Sequence, residues 1–101
     1  MARDDMHVII YKILSYLYDI LKKGTEVDTE LLTNKNFLEI EIPYSYWREI
    51  LSELKRVGYI RGVSITNGRI SSINKIKITF EGVEYLHSDV FLQKVAKELN
   101  E

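Results

Sequence analysis

The chain has 101 residues, 46% hydrophobic and 29% charged, with a net charge of −1 and no cysteine. That composition fits one globular domain over residues 1–101, burying about two-thirds of its unfolded surface. It excludes a disulfide framework and a thiolate metal site. No apolar run approaches the roughly 20 residues of a membrane span, since Lys12, Asp19 and Lys22 interrupt the first helical pattern. The opening Met1-Ala2-Arg3-Asp4-Asp5 lacks the basic-then-apolar layout of a secretion signal, so a cytoplasmic protein is expected.

The first helix is predicted over Met6–Lys23, ending before Gly24. At 100° per residue, Met6, Ile10, Ile13, Leu14, Leu17, Ile20 and Leu21 form a broad core stripe. A narrower second stripe carries Val8, Tyr11, Ser15 and Tyr18. A helix apolar on two sides needs cover on two sides, either from the chain's own last helix or from a second subunit.

Residues 25–28 predict a short edge strand that pairs with a later hairpin. Asp28 or Thr29 is expected to cap a short second helix through Leu31 and Leu32, ending at the asparagines of 34–36. Residues 37–42 alternate apolar and acidic side chains with period two, which predicts extended chain with one wet side. Ile40 or Ile42 is expected to plug the gap between the flanking helices.

A third helix is expected to start after Pro43, with Ser45 as its cap, and to bury Trp47, Ile50, Leu51 and Leu54. Its opposite side presents Ser45, Glu49, Ser52 and Arg56, with Arg48 and Lys55 along one edge and Tyr46 and Glu53 along the other. Gly58 stops it. Two β-rich runs then flank Asn67-Gly68, the strongest short-range signal for a hairpin. Thr79 is expected to cap a short helix with Phe80, Val83 and Leu86 inward. Ser88 is the expected cap of a last helix over residues 89–99, whose stripe is Phe91, Leu92, Val95, Ala96 and Leu99.

This order describes an α+β chain with a winged helix-turn-helix layout: a helical core, a C-terminal β-hairpin wing and an extra C-terminal helix. Residues 88–101 are then a packing or dimerisation segment. A homodimer interface would use Val8, Tyr11, Tyr18, Phe91, Leu92, Val95 and Leu99.

Charge is unevenly placed. Residues 1–53 carry a balance of −4, residues 54–80 hold six cations and no acid, and residues 81–101 carry −3. The positive block covers the end of the third helix and the hairpin, the parts of a winged helix that face a phosphate backbone. Candidate phosphate contacts are Arg48, Lys55, Arg61, Arg69, Lys75 and Lys77, with Asn67 at the hairpin tip. Ser45, Ser52 and Arg56 are candidates for base edges, Glu49 for a cytosine amino group, and Tyr44 and Tyr46 for backbone or a thymine methyl, with packing at the helix entrance as their alternative. The alternative is a solvated face of mixed charge.

Tyr46-Trp47-Arg48-Glu49-Ile50-Leu51, Leu54-Lys55-Arg56-Val57-Gly58-Tyr59-Ile60-Arg61-Gly62-Val63 and Ile78-Thr79-Phe80-Glu81-Gly82-Val83-Glu84-Tyr85-Leu86 resemble the YjcQ family. These are small winged-helix proteins of Gram-positive bacteria and their phages. The resemblance implies a winged-helix fold and a DNA-binding role, and brings no catalytic residue, cofactor or target sequence. The long stretch 37–42 departs from a compact helix-turn-helix.

Catalytic chemistry has little support. His7 and His87 have no second ligand at zinc spacing, and consecutive His87-Ser88-Asp89 cannot form a hydrogen-bonded relay. The acids of 26–30 and 39–41 lack the glycine turn of a calcium loop, and the five glycines match no phosphate or dinucleotide motif. A non-enzymatic chain is expected, without metal, cofactor, membrane or small-molecule substrate. The expected function is a regulator that binds double-stranded DNA as a homodimer. The alternative is a protein–protein interaction module on the same scaffold.

Overall fold

The structure, a computed structural model, describes residues 2–99. Met1, Asn100 and Glu101, the ends of the expected domain, lie outside the described residues. The element order is α1 (Met6–Lys23), α2 (Tyr44–Arg56), β1 (Ile60–Arg61), β2 (Ser64–Thr66), β3 (Arg69–Ser72), β4 (Lys77–Ile78), α3 (Phe80–Ser88) and α4 (Val90–Leu99). The fold is α+β, with four helices and two small antiparallel sheets among the described residues.

α1 is the element on which the others pack, with β4, α3 and α4 all against it. Asp5 caps it by accepting from the His7 amide, and Gly24 closes it. Ile9, Ile13, Leu14 and Leu17 are buried as its core side, whereas Met6 and Leu21, expected in that stripe, stay half exposed at its two ends. The second stripe is covered in part within the chain, with Tyr11, Ser15 and Tyr18 left half buried. α4 lies along α1 and buries Leu92 and Val95 completely, and Val8 is buried as well. These three side chains, expected at a dimer interface, are therefore spent in the interior of one chain. Phe91 and Leu99 remain exposed.

The segment between α1 and α2 forms neither the expected strand at 25–28 nor the expected second helix. Two isolated turns replace the helix: the Leu32 amide donates to the Asp28 carbonyl, and the Phe37 amide to that of Thr33. Asp28 Oδ1 still caps, accepting from the amides of Glu30 and Leu31. Thr33 and Asn34 then compete for backbone partners, as short polar side chains do. The Asn34 carbonyl accepts from the Ile42 amide and its side chain donates to the Ile42 carbonyl, tying off a loop. That loop is irregular rather than extended. It is held by Leu32, Leu38 and Ile42, all buried, and by Phe37, wedged between Tyr16 and Trp47 at centroid distances of 5.5 and 5.8 Å. Ile42 is the residue that plugs the gap, while Ile40 is only half buried.

The β-rich region is two ladders rather than one hairpin. β1 pairs with β4 (Ile60 opposite Ile78, Arg61 opposite Lys77), and β2 pairs with β3 around Asn67-Gly68. The break falls where the two sides of the ribbon come closest, at Gly62 and Lys75. Gly62 sits at φ 83°, and a Cβ there would lie 1.9 Å from the Lys75 carbonyl oxygen. Val63 and Ile76, flanking this close approach, turn into the core instead of continuing the pleat.

Thr79 caps α3 as expected, accepting from the Gly82 amide while its hydroxyl donates to the Gly58 carbonyl. The inward line of α3 is Gly82 and Leu86, which leaves Phe80 84% exposed instead of buried. Ser88 lies inside α3 and donates to the Glu84 carbonyl, so it is not the cap of α4. Asp89 takes that role, accepting from the Leu92 amide at 3.1 Å. Among the described residues no helix is long and apolar enough to cross a membrane.

If α4 is part of the core, Leu92→Ala removes a fully buried side chain and costs about 2–5 kcal/mol. Urea titration should show the midpoint falling accordingly, and a loss under about 1 kcal/mol would mean that α4 is not docked on α1.

Candidate nucleic-acid interface

α2 is built to present one polar arc. Trp47, Ile50, Leu51 and Leu54 are buried on one side. Pro43 is the residue before the first turn, with no side-chain cap, so Ser45 is an exposed first-turn residue rather than the expected cap. At the far end the Tyr59 amide donates to the Leu54 carbonyl and the Gly58 amide to that of Lys55, a Schellman closure.

Projected at 100° per residue, the exposed arc runs Lys55, Arg48, Ser52, Ser45, Arg56, Glu49, Glu53. Cations and serines thus occupy one flank and the two glutamates the other. Arg56 stands at the border. Its guanidinium holds Glu53 with two hydrogen bonds, at 2.6 and 3.1 Å. That bond to Arg56, and its charge, keep the Glu53 carboxyl below the usual carboxylate range and push the Arg56 guanidinium up. Arg56 therefore reaches another anion only by exchanging partners.

The hairpin docks on the cationic flank of α2. Arg48 Nη1 donates to the Gly68 carbonyl at 2.7 Å, and Tyr44 Oη accepts from the Ile70 amide at 2.8 Å. Arg48 also lies 3.9 Å from Glu49, a loose contact. Asn67 (φ 51°) and Gly68 (φ 73°) both take positive φ, the geometry of a type I′ turn matched to strand twist. Ser71 is the extra residue where the ladder shifts register, and its hydroxyl donates to the Ser64 carbonyl. Tyr44, weighed from sequence as a nucleic-acid contact or as packing at the helix entrance, instead holds the hairpin, and Ser71 was not among the candidates. An aromatic at the start of a helix reads as packing, and a bulge leaves no mark in the residue pattern.

Two cationic groups result. Arg48, Arg69 and Asn67 surround the hairpin tip. Arg61 and Lys77 face each other across the second ladder, with Lys75 beside Gly62. Among the described residues no carboxylate forms an ion pair with Lys55, Arg61, Arg69, Lys75 or Lys77. Like charges directly opposed on a ladder destabilise it, so the Arg61–Lys77 pair is a cost that an anion would relieve. Tyr46, half buried, points elsewhere and donates to the Asp4 carbonyl at 2.7 Å. Among the described residues no group of three His, Asp or Glu side chains could hold a metal ion.

Removing the docking hydrogen bond by Tyr44→Phe should loosen the hairpin alone. Hydrogen exchange at the Ile70 amide is expected to accelerate about two- to tenfold, as for loss of about 0.5–1.5 kcal/mol, with the α1 amides unchanged. Unaltered exchange at Ile70 would show that the hairpin does not depend on α2.

A family model described as YjcQ protein matches residues 11–101. No curated protein and no solved structure matches the chain.

Proposed function

The chain belongs to the YjcQ family, and we propose that it is a small regulator binding double-stranded DNA on a winged helix-turn-helix scaffold. α2 would be the helix entering the major groove, the β2–β3 hairpin the wing. The observation that carries this reading is the set of cations with no carboxylate partner, above all Arg61 set against Lys77. A protein surface keeps such a pair at a cost, and phosphate oxygens offset it.

In this mode Lys55, Arg61, Arg69, Lys75 and Lys77 neutralise phosphates, while Ser45, Ser52 and Arg48 on α2 reach base edges or adjacent backbone. Arg48 also fixes the angle between wing and helix through Gly68. Arg56 joins by leaving Glu53 for a guanine or a phosphate. Glu49 and Glu53, on the far flank, stay clear of the backbone. A homodimer through the exposed Phe91 and Leu99 would set half-site spacing.

Fluorescence anisotropy with a labelled duplex of about 20 base pairs tests this. Affinity should fall steeply with salt, by about 0.9 in the logarithmic slope for each phosphate neutralised. Arg69→Ala, Lys75→Ala and Lys77→Ala should each flatten that slope by about one unit. No binding at low salt, or variants indistinguishable from the parent, would overturn the proposal and leave a protein-interaction module.

A further inference from the structure

On the acidic flank of α2 lies an open groove of about 410 Å³ between the start of α1, α2, the link from α2 to β1 and Tyr85 of α3. Its walls are aromatic. Tyr59 and Tyr85 stack face to face at 4.3 Å and 12°, and Tyr46 also lines the groove. Its lining includes Met6 and Val57, which remain 48% and 44% exposed, an apolar surface without cover.

Among the described residues that line it, two carboxylates stand against one cation. Glu49 and Glu53 line the groove directly, and Glu49 is 71% exposed. Burial and then the charges of Asp4 and Asp5 push the Tyr46 hydroxyl up, as burial and then Asp89 do for Tyr85. The one cation among the described lining residues is Arg56, already held by Glu53.

We propose that this groove is a binding site for a small lipophilic organic cation, its apolar body against Met6 and Val57, its charge against the tyrosine rings and Glu49. Each part has its own cause. Burial of apolar area supplies the non-directional attraction, and the size suits a drug-sized molecule. Tyrosine faces attract a cation through the ring quadrupole, and Glu49, held only loosely by Arg48 at 3.9 Å, adds the choice of sign. An anion of the same shape meets like charge from Glu49 and the negative faces of the rings. Nothing in this site depends on nucleic-acid binding, and the test contains no DNA.

Tetraphenylphosphonium and tetraphenylborate share a shape and differ in charge, so the pair isolates the proposal. Calorimetric titration of the full chain should give saturable one-to-one binding of tetraphenylphosphonium, roughly tenfold or more tighter than tetraphenylborate. The ring resonances of Tyr46, Tyr59 and Tyr85 should shift on titration. Glu49→Lys, at an exposed position that leaves the fold intact, should weaken the cation severalfold and favour the borate. No saturable binding of tetraphenylphosphonium, equal or tighter binding of tetraphenylborate, or a Glu49→Lys variant with undiminished affinity would each overturn the site.

Discussion

The whole arrangement depends on one helix being buried from more than one direction. α1 offers Ile9, Ile13, Leu14 and Leu17 to the core, and α4 packs along it as well. An 18-residue amphipathic helix does not persist on propensity alone, and its stability comes from the surfaces it covers. Of the elements after α2, β4, α3 and α4 return to it. The irregular segment 25–43 closes the other side, using Phe37 as a wedge between Tyr16 of α1 and Trp47 of α2. Because α1 is fixed by so many neighbours, α2 is held at a defined rotation, and that rotation decides which of its polar residues face where.

The division of α2 into two flanks follows directly. Its buried line sets Lys55, Arg48, Ser52 and Ser45 on the side of the hairpin, and Glu49 and Glu53 on the side of the tyrosine groove. A net count over the helix hides this, because opposite charges cancel in the count and not in space. The same separation supports both the proposed DNA contact and the proposed cation site, on opposite flanks of one element. Arg56, shared between them and latched to Glu53, is the one residue whose side chain serves whichever flank offers the better anion.

Much of this was legible from local chemistry. The bounds of α1, the stop at Gly58, the turn at Asn67-Gly68 and the cap at Thr79 are each dictated by a few neighbouring residues, and all stand as read. What escaped reading depends on contacts distant in sequence. The second helix fails because Leu32, Phe37, Leu38 and Ile42 must reach Trp47 and α1 at spacings no single helix supplies. The ladder breaks because Gly62 passes against the backbone of Lys75, and period-two patterning does not report a close approach. Phe80 faces water because Gly82, packed on the Tyr59 carbonyl, sets the phase of α3. The arc of α2, with Arg48 and Lys55 on one edge and Glu53 on the other, stands as read, but the partners of its tyrosines depend on distant chain: Tyr46 turns to the N-terminal tail and Tyr44 anchors the hairpin.

The facing pair Arg61 and Lys77 carries one more implication. At cross-strand separation, mutual repulsion weakens as mobile ions gather between the charges. Added electrolyte therefore firms the β1–β4 ribbon in the unbound molecule, while the same electrolyte competes for every phosphate contact. Free chain and complex answer ionic strength in opposite senses, so the ribbon would be loosest in the dilute buffer where a polyanion is most readily taken up.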